Sequence, residues 1–167
     1  MAKAATALAP RTSATSFSDI LNTKASDVER PAAMPVGDYV VVVTGQPRQD
    51  KSAKKQTPFV EFTYKILEAM ESVDEEALDE WLTNKKGEKK KLTEVTIKDT
   101  YYLTENSLWR LKDFLKDCGF EVDSDEATLR QMIEETPGKT VGVFVKHQAS
   151  QDGQSVFANI DHTVAVE

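Results

Sequence analysis

Residues 36–45 read VGDYVVVVTG and residues 59–67 read FVEFTYKIL, and these two stretches decide the fold. The first is rich in β-branched residues and is bounded by Gly37 and Gly45, which is typical of a central strand. The second alternates between apolar and polar side chains, as a strand with one buried face does. Residues 45–58 (GQPRQDKSAKKQTP) are predicted to form a polar loop between them. The inward face of the second strand comprises Val60, Phe62, Tyr64 and Ile66.

The same alternation of apolar and polar side chains predicts three further strands, over residues 93–103 (TEVTIKDTYYL), 140–147 (TVGVFVKH) and 155–160 (SVFANI). Asp99 falls on the apolar face of the first of these, which indicates a β-bulge there. The remaining patterns predict helices over residues 68–82, 107–119 and 126–135. The best defined is SLWRLKDFLKDCG, whose apolar stripe ends at Gly119, a residue suited to the position after a helix.

The chain is predicted to divide into an N-terminal arm, residues 1–35, and a domain, residues 36–167. Residues 1–16 are rich in Ala, Ser and Thr, and such a segment buries too little surface to offset its ordering entropy. A short amphipathic helix is expected after Ser16, since Phe17, Ile20 and Leu21 follow at helical spacing.

The order of elements is β-β-β-α-α-β-β, which predicts a mainly β protein with added helices. Three strands, a helical connection and two final strands match the five-stranded Greek-key barrel called the OB fold. In that fold the helix lies between the third and fourth strands. An α+β sheet with helices on one face is the alternative that the pattern leaves open.

Length and composition set limits on the class of protein. The chain has 167 residues, a net charge of -7 and a single cysteine, Cys118, so no intrachain disulfide can form. The longest purely apolar stretch is Val40–Val43, far short of a membrane span, and residues 1–16 lack the apolar core of a secretory signal. We therefore expect a soluble protein of a reducing compartment. Its acidity means that any nucleic-acid binding must use local patches of positive charge.

No enzyme signature is found. Residues 45–52 resemble a phosphate-binding loop, but Asp50 stands where the second glycine belongs and a strand follows. Cys118 lies on the apolar stripe of its helix, which leaves His147 and His162 without a nucleophile to activate. The acidic run 74–80 is typical of a solvated helix face. We expect a binding protein with no catalytic residue, no cofactor and no metal site.

A candidate binding surface combines cations with outward rings. Single-strand binding proteins need this mixture, because cations follow the phosphates while exposed rings stack on bases. The lysines of residues 85–91 could add a third cationic edge, or could pair with the acidic helix before them, and outward rings often pack beneath other elements. The candidates are Arg48, Lys51, Lys54 and Lys55 in the first loop, the rings Phe59, Tyr102, Phe144 and Phe157, and Lys65, Lys98 and Lys146 between them.

Residues 35–67 (PVGDYVVVVTGQPRQDKSAKKQTPFVEFTYKIL) and 106–120 (NSLWRLKDFLKDCGF) resemble the single-stranded-DNA-binding proteins encoded by tailed bacteriophages, an OB-fold family. The likeness spans residues 34–162. It implies sequence-independent coating of single-stranded DNA during phage DNA replication or recombination, in the host cytoplasm. The partners implied are single-stranded DNA, replication or recombination enzymes and further copies of the chain. The alternative function is a virion structural or adaptor protein that uses the N-terminal arm for assembly.

Overall fold

The computed structural model describes residues 17–27 and 32–166, in two compact units that divide between Pro31 and Ala32. The first unit contains helix α1, Phe17–Leu21, and a 3-10 turn, Ala25–Asp27. Helix α1 lies where the short amphipathic helix is predicted. Its proposed cap, Ser16, and the arm 1–16 lie outside the described residues.

The second unit is built on a sheet of six antiparallel strands. The strands are β1 Gly37–Val43, β2 Arg48–Lys51, β3 Pro58–Ala69, β4 Thr96–Tyr102, β5 Thr140–Ala149 and β6 Val156–Val164. Their order in the sheet is β4-β3-β1-β5-β6, and β2 follows β1 along the same edge of β3. The prediction of a mainly β protein with a few helices is confirmed.

Three helices connect the strands: α2 Glu75–Leu82, α3 Leu108–Asp117 and α4 Leu129–Glu134, with a 3-10 turn at Leu92–Glu94. Asp74 and Thr128 cap α2 and α4 by accepting backbone N–H bonds, as short polar side chains do at helix starts. Gly119 follows α3 with a φ of 96°, so the predicted stop is confirmed.

The core lies between one face of the sheet and α3. The predicted inward face of β3 is fully buried, and so is Phe114 of α3. The ring of Phe114 lies 4.6 Å from that of Phe62 and 5.2 Å from that of Tyr101, measured between centroids. Such contacts add to the energy of area burial, by about 0.5–1.5 kcal/mol a pair. This cluster joins the helix to two strands.

Two predicted boundaries are wrong. Residues 45–58 are not a plain loop, because residues 48–51 form β2 and pair with residues 58–61 of β3. The helix predicted over residues 68–82 begins only at Glu75, because Glu68 and Ala69 continue β3 and pair with Val40 and Tyr39.

The predicted bulge at Asp99 is also wrong. Strand β4 pairs with β3 in an unbroken register from Phe59↔Tyr102 to Lys65↔Thr96, and Asp99 lies directly opposite Phe62. Residues that are paired across two strands point to the same face of the sheet, so the Asp99 carboxyl lies on the apolar face together with the buried Phe62.

The sheet is open in the described part of the chain, so the expected closed ring of five strands is not formed. Strand β4 pairs only with β3 and β6 only with β5, which leaves one edge of each strand unpaired. Since every pairing is antiparallel, β4 and β6 run in the same direction. Helix α3 contacts both strands, and the Thr163 hydroxyl of β6 donates to the Asp117 carboxylate of α3 at 2.6 Å. The two strands are joined through the helix instead of by backbone hydrogen bonds.

Replacing Gly37 with alanine is expected to destabilise the fold by about 2 kcal/mol or more. Gly37 has a φ of 145°, and a β-carbon there would lie 2.6 Å from Cγ2 of Val73 and 3.0 Å from its backbone. Urea denaturation measures the loss. Gly45→Ala is the control, since Gly45 also has a positive φ, 67°, but nothing lies within 4 Å of the added carbon. Equal losses in the two variants would contradict the clash with Val73.

Candidate nucleic-acid interface

The hairpin between β2 and β3 presents a group of lysines, which we call the basic turn: Lys51, Lys54 and Lys55. Its shape is set by Ser52, whose backbone N–H donates to the Thr57 carbonyl at 2.9 Å and whose hydroxyl accepts from the Thr57 N–H at 3.1 Å. All three lysines are exposed, and none forms an ion pair with any residue that the structure describes. The basic turn is therefore a patch of positive charge that no described carboxylate neutralises, on an acidic protein.

Next to the basic turn, an arginine and two rings form a connected surface across β2, β3 and β4. The Arg48 guanidinium lies 5.5 Å from the centroid of the Phe59 ring. Phe59 packs edge-on against Tyr102, with centroids 6.3 Å apart. Tyr102 keeps 47% of its surface exposed. The strands place these side chains together because Phe59 pairs with Tyr102 in register.

Glu61 sits at the centre of this surface and partly neutralises it. Its Oε1 lies 3.9 Å from Arg48 Nη1 and 3.5 Å from Lys98 Nζ, and its side chain is only 18% exposed. Arg48 also bonds Asp50 at 2.8 Å, which holds the pKa of that carboxyl below its usual value. Two of the predicted cations are thus already engaged by carboxylates.

The remaining candidates lie on β3, β5 and β6. Phe144 stacks on the His162 ring, with centroids 5.3 Å apart. Lys146 forms an ion pair with Asp161, and its hydrogen bond lowers the pKa of that carboxyl. Phe157 is 53% exposed and pairs with Gln148, while Lys65 is exposed on β3 opposite Thr96.

The four predicted rings therefore do not form one continuous row. Phe59 and Tyr102 touch each other, whereas Phe144 touches His162, and β1 lies between the two groups in the sheet order. Phe157 lies further along β6, at the register position of Gln148. The sequence identified outward positions correctly, but their register along the strands separates them.

A cleft of about 920 Å³, which we call the seam, lies between the unpaired edges of β4 and β6. Three predicted residues line it: Lys98 and Tyr102 from β4 and Lys146 from β5. Trp81 and Arg110 line it too, and sequence reasoning missed both. Trp81 belongs to an acidic helix and Arg110 to the predicted helix 107–119, and only the packing of these helices brings them to the seam.

One buried polar group faces the seam from the apolar side of β4. Burial raises the pKa of Asp99 from its ordinary 3.8 to about 6, and its Oδ2 atom has no hydrogen-bond partner. The neighbouring Tyr64 hydroxyl is likewise buried without a partner, and burial raises the pKa of both Tyr64 and Tyr101. These groups reduce stability, because a buried polar atom without a partner loses its hydration.

The lysine-rich residues 85–91 partly pair with the acidic helix, as one of the two interpretations predicts. Lys89 forms an ion pair with Asp79 of α2, and its backbone bridges to Thr83. Asn84 holds the turn by accepting the backbone N–H groups of Lys86 and Glu88, each at 2.9 Å. This segment is therefore a folded hairpin in which at least one lysine is engaged.

Other chemistry finds little support in residues 17–27 and 32–166. No group of three or more His, Cys, Asp and Glu side chains there could hold a metal ion. Burial raises the pKa of the Cys118 thiol to about 12, which keeps it protonated and unreactive at neutral pH. No described helix has both the length and the apolar character needed to cross a membrane.

Residues 21–165 match the protein family described as "Protein of unknown function (DUF669)". The chain belongs to this family. The match includes the whole described sheet, the basic turn and the seam, so these features lie within the DUF669 region of the chain. No curated protein matches the chain.

In this DUF669 chain, Asp99 is expected to make stability fall as pH rises from about 4 to about 6. In that range the unfolded carboxyl ionises while the folded one stays protonated, so the folded state binds more protons and loses stability with rising pH. The raised pKa corresponds to about 3 kcal/mol, fully lost above pH 6.

Urea denaturation of the wild type and of Asp99→Asn between pH 4 and pH 7 measures this effect. The variant cannot ionise, so its stability relative to the wild type should increase across that range. Parallel pH profiles for the two proteins would show that Asp99 ionises normally in the fold.

Glu61→Gln is expected to strengthen binding to a polyanion about threefold, because Arg48 and Lys98 lose a competing carboxylate. Binding of labelled oligo-dT, followed by fluorescence anisotropy at several salt concentrations, measures the change. Glu126→Gln is the control, because it removes one negative charge at an exposed position without an ion pair to any described residue. If Glu61→Gln weakened binding, Glu61 would be positioning the two cations instead of competing for them.

Proposed function

We propose that this protein binds single-stranded DNA without base specificity, across the surface that runs from the basic turn over Phe59 and Tyr102 to the seam. The observation that carries the proposal is the contact of Arg48, Phe59 and Tyr102 on three adjacent strands, directly beside three lysines that have no described ion-pair partner. Cations there attract phosphates and exposed rings stack on bases, at about 1–3 kcal/mol per base.

We further propose that the sheet is an OB-type barrel left open at the seam. Such a fold would support the proposed function. Counting β1 with β2 as the first strand, β3, β4, β5 and β6 follow in the order of the OB barrel, with helices α3 and α4 between the third and fourth. OB folds are partly open Greek-key barrels that bind oligonucleotides on strands two and three and on the loop between strands one and two. In this chain that loop is the basic turn.

A net charge of -7 is compatible with binding to DNA because the charge is unevenly placed. Asp74, Glu75 and Glu76 lie at the start of α2, and none of these acids lines the seam. The basic turn supplies positive charge where phosphates would arrive. The affinity should accordingly fall steeply with salt, with a slope of about 0.7 per phosphate contacted.

We propose coating of single strands during the replication or recombination of a phage genome as the biological role. Coating a strand requires binding and protection and needs no catalytic group. Coating requires stacking rings and cations on an exposed sheet face, which Phe59, Tyr102 and Arg48 provide.

Reversing two charges of the basic turn, Lys54→Glu with Lys55→Glu, is expected to weaken oligo-dT binding at least tenfold. It should also reduce the salt slope by about 1.4, the value for two lost phosphate contacts. Fluorescence anisotropy of a labelled oligo-dT over a range of salt concentrations provides both values.

The matched control is Lys112→Glu with Lys116→Glu, which makes the same change of charge on the exposed side of α3. Circular dichroism checks that both double variants fold. Equal binding by the two double variants would reject the basic turn as the contact. If the wild type ignores the oligonucleotide, the proposal fails and an adaptor role becomes the better explanation.

A further inference from the structure

The seam has the size and the lining of a binding site of its own. Its volume of about 920 Å³ is at the upper end of the roughly 300–1,000 Å³ of small-ligand pockets, which is room for more than one nucleotide. The unpaired edges of β4 and β6 form its two walls, and Val95, Ile97 and Ile160 give it an apolar part. It opens beside Tyr102, where the surface proposed for DNA ends.

Three cations reach the seam from three different elements: Lys98 from β4, Arg110 from α3 and Lys146 from β5. Lys98 and Lys146 are held by Glu61 and Asp161. Arg110 forms no ion pair in the described part of the chain, and its guanidinium lies 5.7 Å from the Tyr101 ring centroid. Arg110 is therefore the cation of the seam that no described carboxylate holds in an ion pair, although Asp99 lies near enough for the charge of Arg110 to oppose the rise in its pKa.

Two acidic side chains line the seam beside its three cations. Asp161 is engaged by Lys146 and His162. Asp99 lies on the apolar side of β4, where burial raises its pKa to about 6, so it is ionised at neutral pH and loses its charge only in mildly acidic solution. The side chains that line the seam therefore carry one more positive than negative charge, whereas the whole protein carries a net charge of -7.

An aromatic ring stands at one side of the seam. Trp81 of α2 lines it, and its indole N–H donates to the Ala32 carbonyl at 3.0 Å. That bond satisfies the polar atom and holds the ring, which is partly buried against the hydrophobic core and lines the seam with the rest of its surface. Tyr102 of β4 lines the same cleft.

We propose that single-stranded DNA continues from the outer face of β3 and β4 into the seam, where Arg110 contacts a phosphate and a base stacks on Trp81. This inference rests on the proposed function and extends its contact surface. A peptide strand added to the unpaired edges would need only backbone groups, whereas the cations and the fixed indole are what a nucleic-acid strand needs.

Arg110→Gln tests the phosphate contact, with Lys112→Gln as its control on the same helix. Lys112 bonds Asp123 at 2.9 Å and does not line the seam, so its variant should bind labelled oligo-dT like the wild type. Arg110→Gln should bind roughly tenfold more weakly, with a salt slope shallower by about 0.7.

Trp81 fluorescence gives a second measurement that leaves the seam intact. The chain has two tryptophans, and Trp109→Phe makes Trp81 the sole emitter. Trp109 is 61% exposed on α3 and does not line the seam. Adding oligo-dT to Trp109→Phe should quench the remaining emission, because a base stacked on the indole quenches it.

The outcomes separate this inference from the function on which it rests. Quenching of Trp81 together with weaker binding by Arg110→Gln supports both. If oligo-dT binds but Trp81 emission is unchanged and the two glutamine variants bind equally, the seam is not a DNA site while the proposed function stands. If the wild type binds no oligonucleotide, both the seam as a DNA site and the proposed function are rejected.

Discussion

The fold depends on the aromatic contact between α3 and the sheet. Strands β4 and β6 share no described backbone hydrogen bonds, so pairing alone does not hold the two free edges at a defined separation. Phe114 supplies the missing link: it packs against Phe62 and Tyr101 from one side of the helix, while Asp117 bonds Thr163 of β6 at the end of α3. The same helix carries Arg110 to the seam. The contact that stabilises the open sheet thus also sets the geometry of the candidate site.

The sequence predicts the regular parts of this fold and fails where local pattern is weak. Alternation in residues 59–67 predicts the buried face of β3 because the side-chain period of a strand is two and one face is apolar. Strand β2 has no such pattern, since all four of its residues are exposed, and it exists because β3 offers it a partner. The acidic residues 68–74 have no apolar period to place the start of a helix, so the length of β3 could not be read from them. Closure of the barrel depends on contacts between strands far apart in sequence, which no local pattern records.

The candidate site, like the fold, is predictable where it depends on local sequence and unpredictable where it depends on tertiary contacts. Residue types and outward positions are predictable, so the basic turn, Phe59 and Tyr102 could be found before the structure. Their grouping is not predictable, because strand register separates Phe144 from Phe59 although both point outward. Trp81 and Arg110 were not predicted as site residues, because each lies on a helix whose amphipathic pattern already accounts for its presence. Only tertiary packing turns the two side chains toward the seam. Glu61 was not predicted as a site residue, because the alternation of the strand places its side chain outward but does not show that it lies between two cations.

In the proposed function, paired and unpaired cations would serve different purposes. Arg48, Lys98 and Lys146 already have carboxylate partners, so a phosphate at these positions replaces one anion with another and gains only the difference in energy. The lysines of the basic turn have no ion-pair partner among the described residues, so a phosphate there would gain the full attraction, which acts over about a Debye length before contact. On the proposed function, these lysines would therefore govern encounter and salt dependence, while the paired cations would give the surface its shape. If the protein coats a strand as proposed, this division would ease release, because the carboxylates would return to their cations as each phosphate leaves.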